Sequence, residues 1–447
     1  AVLTTLHGMS SGGIYDHLAG GFARYSVDDK WLVPHFEKML SDNGQILSLM
    51  VRAWNDGRQP LLRARIGETA NWMMREMQLP EGGFAASLDA DTGHEEGLTY
   101  VWTKAEIDDA LGEEAEFFCT VYDVTDAGNW EGKTILNRLS QDRPAYLDTE
   151  TEDRLSRLKG RLLANRDGRP QPDRDGKVLA DWNAVAIAGL AEASRATGDA
   201  TFLEAAQEAF RFICGSMQQD DRLCHSWCDG RITSAGLATD YAQMAHAAIA
   251  LHSVTGTLDY LSHAVKWFDQ LNKYYIDSGT VYLTATDSDD LIVRPVGASD
   301  EAMPSAAGII LQLASQLFAI TAEPDYRSSA DAILAAHAEQ MSRDIIGAAS
   351  LHSGFDNLLR SRLAYVATSD PKQHMELSDL ILAEADPALL LINGAADETA
   401  IPKPVPQAAA GKNGLYLCVA DRCRPPVSNL QEARKILAET RNPIQTS

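Results

Sequence analysis

The sequence predicts a mainly α chain folded as an (α/α)6 toroid with a small C-terminal α/β appendage. Three observations carry this. Four segments align as helix, short turn, helix, opening at Asp42, Asp181, Thr239 and Met303. The first helix of each pair is rich in small apolar residues on all sides, whereas the second has one apolar face. That asymmetry suits a double ring, with inner helices packed on both sides and outer helices facing water. Finally, β-type runs are confined to long loops and to the chain after residue 360.

Each element has its local reason. "AVLTTLHGM" reads as the last two turns of a helix already under way, stopping before Ser10-Ser11-Gly12-Gly13. The chain is therefore expected to be a fragment that begins inside the first barrel helix. "RYSVDDKWLVPHFEKML" (24–40) concentrates aromatic and ionisable residues around Pro34, and is expected to be a rim loop leading into the helix at Asp42-Asn43. Thr197-Gly198-Asp199 and Thr255-Gly256-Thr257 mark tight turns between antiparallel helices. A less regular fifth hairpin runs through "TKAEIDDALGEEAEFFCTVY" and residues 149–164. "LTYVW", "TVYLTA" and "LIVRPV" are short β-like runs in the long loops. In the tail, "LAYVATS", "ALLLING" and "GLYLCVA" read as strands, "NLQEARKIL" as a closing helix, and "AIPKPVPQ" (400–407) as linker. The expected division is a barrel over 1–359 and an appendage over 360–447.

Composition narrows the function. At 447 residues with 45% hydrophobic content the chain has ample material for a large core. No run of eighteen apolar residues occurs, so no membrane partner is expected. A net charge of −24 opposes binding to nucleic acid, whose phosphates are held by an excess of Lys and Arg. The six cysteines do not read as a secreted disulfide framework, and a cytoplasmic, reducing location fits them better. Cys224-x3-Cys228 and Cys418-x4-Cys423 lack a second ligand pair for zinc, so neither a metal nor another cofactor is expected.

The candidate site is a rim where helices open on acids. Asp42, Asp181 and Asp240 lie at or beside helix starts, where capping alone accounts for an Asp. Taken together they form a convergent acidic ring, and each is followed by a residue suited to a sugar: Asn43, Trp182-Asn183 and Tyr241. The loop 82–102 adds Asp89, Asp91, Glu95, Glu96 and Trp102; its rival reading is a solvated acidic loop. Arg24, Tyr25, Trp31, His35 and Glu37 come from the rim loop, and Arg294 from the loop before the last hairpin. Carboxylates accept hydroxyl hydrogen bonds while aromatic rings cover the C–H faces of a pyranose. His35, Glu37, Asp240 and Asp181 are the catalytic candidates, the others binding candidates. For Trp31 and Phe36 the rival is a hydrophobic staple for the next helix, with His35 incidental.

The stretches "GGIYDHLAGGFARYSVDDKWLVPHFEKMLSDNGQIL", "GGFAASLDADTGHEEGLTYVWTKAEI", "NWEGKTIL", "GKVLADWNAVAIAGLAEA" and "CVADRCRPPV" resemble the spermatogenesis-associated, thioredoxin-domain-containing protein family. The resemblance runs from residue 1 to about residue 435. It implies a six-hairpin, glycosidase-like barrel similar to N-acylglucosamine 2-epimerases, preceded in the family by a thioredoxin-like domain that is expected to be missing from this fragment. The barrel part implies a carbohydrate substrate by analogy of fold. Two enzymatic chemistries follow: a sugar epimerase or isomerase, which needs a base and an acid near neutral pH, and a glycosidase, which needs two carboxylates. The alternative is a non-catalytic toroid that binds a glycan or protein client for the thioredoxin-like domain. Substrate identity and oligomeric state stay open.

Overall fold

All four repeats are helical hairpins, and one left-handed residue closes each first helix. Leu40–Gly57 pairs with Pro60–Trp72, Ala180–Thr197 with Ala200–Ser216, Ala238–Thr255 with Leu258–Tyr274, and Ala306–Thr321 with Pro324–Arg343. The closing residues are Arg58 (φ 47°), Gly198 (φ 78°), Gly256 (φ 70°) and Ala322 (φ 55°). Each donates its own backbone N–H to a carbonyl of the last turn, and its conformation reverses the chain within a few residues. The computed structural model describes all residues except 141, 143, 289–291, 395–401, 406–412, 420–421 and 442–447. The expected linker 400–407 lies partly outside the described residues, as does the first residue of "LIVRPV".

The chain is mainly α, and it divides into two compact units, Ala1–Ala209 and Phe210–Ser447. In the first unit, the first helix (Val2–Ser11) runs two residues past the expected stop, through Ser10 and Ser11, and ends at Gly12. Trp31, itself at φ 64°, lies against it: a Cβ on Gly8 would fall 2.7 Å from the indole, and one on Gly12 2.2 Å from the Trp31 carbonyl oxygen. Those two glycines let the rim loop lie flat on the helix. The fifth hairpin is formed by Lys104–Leu111, Ala115–Val121 and Thr149–Arg166, which share a core of Ile107, Leu111, Phe118, Leu155, Leu158 and Leu162. Lys38–Met39, Ser87–Leu88 and Arg174–Asp175 make a three-stranded ribbon, the first strand leading directly into the Leu40–Gly57 helix.

A buried ionic layer sits beneath the rim loop. Asp16 accepts from Lys38 Nζ at 2.8 Å and from Arg166 at 2.9 Å, and all three side chains are nearly inaccessible. Against the cost of burial, these two cations hold the Asp16 carboxyl well below the usual carboxylate range. Glu68 is held in the same way by Arg65 and Lys159, and accepts from Tyr15 Oη at 2.6 Å. His17 is kept neutral by burial and by Arg65, whose guanidinium approaches Nδ1 at 3.3 Å.

In the second unit, the Arg222–Cys228 and Arg231–Ala235 strands form a hairpin over Asp229-Gly230, both at positive φ. The tail forms a four-stranded sheet in the order Leu389–Asn393, Arg362–Ala367, Gly414–Val419, Arg422–Cys423. The first two strands are parallel and the others antiparallel. The helices Pro371–Leu382 and Leu430–Thr440 contribute Leu377, Ile381, Ala433 and Leu437 to a core against this sheet. Cys418 and Cys423 face each other across its last two strands and are joined as a disulfide. Cross-strand register thus brings together two residues whose sequence spacing suggested only an incomplete zinc pair. "LTYVW" is not a strand either, since only Trp102 bridges, to Thr134.

Candidate functional site

The rim loop is built by its own residues. Tyr25–Ser26 pairs with Pro34–His35, and the Asp28 carboxylate closes the turn by accepting from the backbone N–H groups of Lys30, Leu32 and Val33. Arg24 N–H donates to the Glu37 carbonyl at 2.8 Å, and the two side chains then meet at 3.3 Å. His35 Nδ1 lies 2.9 Å from Glu96, and the Tyr25 ring stacks on the imidazole at 4.9 Å and 18°. Tyr25 is half exposed, so the stacked pair presents an aromatic face to solvent. Glu95, across the 91–96 hairpin, is taken by Lys133 at 2.8 Å. Phe36 points the other way, into a small core with Ala90, Val101 and Ile135.

Asp42 follows on the first turn of the Leu40–Gly57 helix. It is not a cap: the N-cap is Met39, and no side chain caps this helix. Its Oδ2 is buried without a hydrogen-bond partner among the described residues. Burial pushes the Asp42 carboxyl up to about 6, with Arg24 opposing and Glu37 adding to the rise. Arg24, Glu37 and Asp42 thus form one electrostatic group: a carboxylate paired to a guanidinium beside a carboxyl whose proton is available near neutrality.

Other predicted residues serve the fold. Asn183 is fully buried. Its Oδ1 accepts from Phe84 N–H at 2.7 Å, and its Nδ2 donates to the carbonyls of Phe84 and Leu179. Asn43 repeats this with Phe22 and Met39, so each Asn ties a Gly-Gly-Phe loop to a helix start. Tyr241, at the matching place in the second unit, is buried and accepts from Leu223 N–H at 2.9 Å. These three were expected to face a sugar, but a helix start buried under a loop needs its backbone groups satisfied. Trp102 is a core residue beneath the Arg169 guanidinium, 3.8 Å from the ring centre. Arg294 donates to the Thr284 and Tyr274 carbonyls, and Trp31 is held against the first helix. Asp89 and Asp91 are exposed, linked by an Asp91 N–H to Asp89 bond of 3.2 Å. Asp181 is buried and accepts from Trp182 N–H at 2.9 Å, with Trp182 half-buried beside it.

Asp240 has a partner that the sequence reading passed over. His225 Nδ1 lies 3.0 and 3.1 Å from its two oxygens, and Oδ2 also accepts from Leu237 N–H at 2.7 Å. The clue was present in "RLCHSWCDGRITSA", where Asp-Gly between alternating residues signals a hairpin. Reading the two cysteines for zinc spacing drew attention away from the His between them.

No family model matches the chain. Over 97% of its length it is 26% identical to an uncharacterized protein of Caenorhabditis elegans and 26% identical to spermatogenesis-associated protein 20 of Homo sapiens. The family resemblance read from the sequence holds. The chain spans 65% and 62% of those two relatives, less than two thirds of their length. Among solved structures it is similar to cellobiose 2-epimerase from Spirochaeta thermophila DSM 6192, with TM-score 0.49 and 13% identity, over 76% of this chain and 67% of that one. It is also similar to the glycoside hydrolase family 76 mannosidase Bt3792 from Bacteroides thetaiotaomicron VPI-5482, with TM-score 0.48 and 13% identity, over 85% and 84%. No helix among the described residues is long and apolar enough to cross a membrane.

Proposed function

We propose that the chain is a carbohydrate-active enzyme whose hairpins close into a six-hairpin toroid, and that it performs acid–base chemistry on a sugar. The observation that carries this reading is Asp42: a carboxyl pushed up to about 6, with a buried oxygen that no described group satisfies, beside the Arg24–Glu37 pair. A carboxylic acid that keeps its proton near neutrality donates it to an oxygen on which charge develops. In this reading Asp42 is the acid, its carboxyl raised chiefly by burial and further by the neighbouring Glu37 carboxylate, and Arg24 is a donor to substrate oxygens. The stacked Tyr25–His35 pair is the platform for the apolar face of the ring. Soluble proteins rarely leave a buried carboxyl oxygen without a partner, and a ligand hydroxyl would supply one.

The test is a panel of reducing sugars and aryl glycosides incubated with the protein in D2O and followed by 1H NMR. Loss of a C2–H signal reports an epimerase or isomerase, and release of the aryl group reports a glycosidase. The reading expects one of these with wild type and a loss of at least about 100-fold in Asp42→Asn. Activity retained in that variant would end the acid role of Asp42.

A further inference from the structure

We propose that the Cys418–Cys423 disulfide is a thiol–disulfide exchange site whose co-reactant is a dithiol. The first observation is that the bond does little for the fold. It joins residues only five apart in sequence, and the entropy a disulfide removes from the unfolded chain grows with the loop it closes. Its two strands are also held without it. Leu415 and Val427 exchange backbone hydrogen bonds of 2.8 and 3.1 Å, and Arg424 N–H donates to the Leu417 carbonyl at 3.0 Å. The Arg424 guanidinium is paired with Glu439 on the closing helix. Leu415 and Leu417 belong to the core shared with the helices of the tail, whereas Cys418 alternates to the other face of the sheet. Cys119, Cys214, Cys224 and Cys228 stay thiols, so the bond is not one of a scaffold's set. Backbone bonds on one side and the Val419–Arg422 pair on the other keep the two sulfurs opposed after reduction. The fold therefore accommodates both redox states.

The second observation is that the two sulfurs are unequal. Cys418 lies on an inner strand and is 1% exposed, whereas Cys423 is half-buried on the edge strand of the sheet. Cys423 also sits between Arg422, which is exposed, and Arg424. An attacking thiolate meets Cys423 first. In a chain of net charge −24, two adjacent guanidiniums draw such an anion in and stabilise the thiolate that later forms there. In the step proposed, one sulfur of the dithiol attacks Cys423 Sγ as a thiolate. The Sγ–Sγ bond breaks, and its electron pair leaves on Cys418 Sγ, which takes a proton. The second sulfur of the dithiol then attacks the mixed disulfide, and Cys423 leaves as a thiolate. Two electrons pass from the dithiol, which ends as a disulfide, to the pair, which ends as two thiols. The reverse sequence reoxidises the pair at the expense of a disulfide.

The test titrates the full wild-type chain, without denaturant, in mixtures of reduced and oxidised dithiothreitol. Samples are quenched in acid, alkylated and read by peptide mass, with circular dichroism on the same samples. The pair is expected to pass reversibly between disulfide and dithiol with an unchanged far-ultraviolet spectrum and a Tm lowered by no more than about 5 °C. A bond that yields only in denaturant, or whose reduction unfolds the chain, overturns the exchange role. The single variants then identify the attacked sulfur. The aromatic disulfide dithionitrobenzoate should form its adduct on Cys423 of the Cys418→Ser variant at least about 10-fold faster than on Cys418 of the Cys423→Ser variant. Equal rates overturn the assignment of Cys423. Arg422→Gln should slow reduction of the disulfide by about 2–5-fold at low ionic strength, a difference that salt removes. An unchanged rate at low salt overturns the part given to the guanidiniums.

Discussion

Asp42 and Asp16 are both acids set among charged neighbours in the first unit, and their environments drive them in opposite directions. Asp16 is flanked by two cations and stays ionised, whereas burial, with a smaller push from Glu37 and against Arg24, raises the Asp42 carboxyl to about 6. Because its folded value lies above the unfolded one, Asp42 makes the folded state bind more protons between about pH 4 and about pH 6. Its contribution therefore favours folding below that window and is lost as pH rises through about 6. Asp42→Asn should raise Tm at pH 8 by roughly 1–3 °C, a gain that shrinks toward zero as pH falls below about 4, as measured by calorimetry. Lys38 makes the converse case. Lys38→Met removes one of the two cations on Asp16 and leaves a buried carboxylate half-paired, and urea unfolding should show a loss of about 3–5 kcal/mol. The types of these residues were legible in the sequence, but their roles were not. Asn43, Asn183 and Tyr241 look alike as sugar ligands and as loop ties, because the same hydrogen-bonding groups serve both. Only the positions of the Phe22, Phe84 and Leu223 backbones decide between the two.

The helical hairpins were the most legible elements, since apolar periodicity over sixteen or more residues leaves little room for another assignment. Their closing turns show where sequence and conformation disagree. Gly198 and Gly256 suit a positive φ, whereas Arg58 and Ala322 adopt it at a cost. Ala322→Gly should therefore stabilise the chain by up to about 1 kcal/mol in chemical denaturation, despite adding a glycine. A loss of stability there would mean that the Ala322 methyl makes contacts worth more than the backbone strain. The 222–235 hairpin was missed although its Asp-Gly turn is a strong signal, and the bulge at His225 had no sequence signature at all. The disulfide between Cys418 and Cys423 depended on cross-strand register, which spacing alone does not fix.

For the whole chain, the charge of −24 and the perturbed acids together predict a stability profile with two limbs. From pH 8 to about 5, protonation of Asp42 and relief of general repulsion raise stability. Below about 4, Asp16 and Glu68 must be protonated out of their ion pairs, because their folded values lie below the unfolded ones, and stability falls. Thermal unfolding followed by circular dichroism across this range should show a maximum between the limbs, shifted toward higher pH in salt as the repulsion is screened. The central claim, that the rim of the first unit holds an acid poised near neutrality, has one direct measurement: the pH titration of the Asp42 carboxyl carbon by 13C NMR in selectively labelled protein, assigned with Asp42→Asn. The account predicts a midpoint near 6 that falls when Glu37 is replaced by Gln. A midpoint near 4, unmoved by Glu37→Gln, would contradict it.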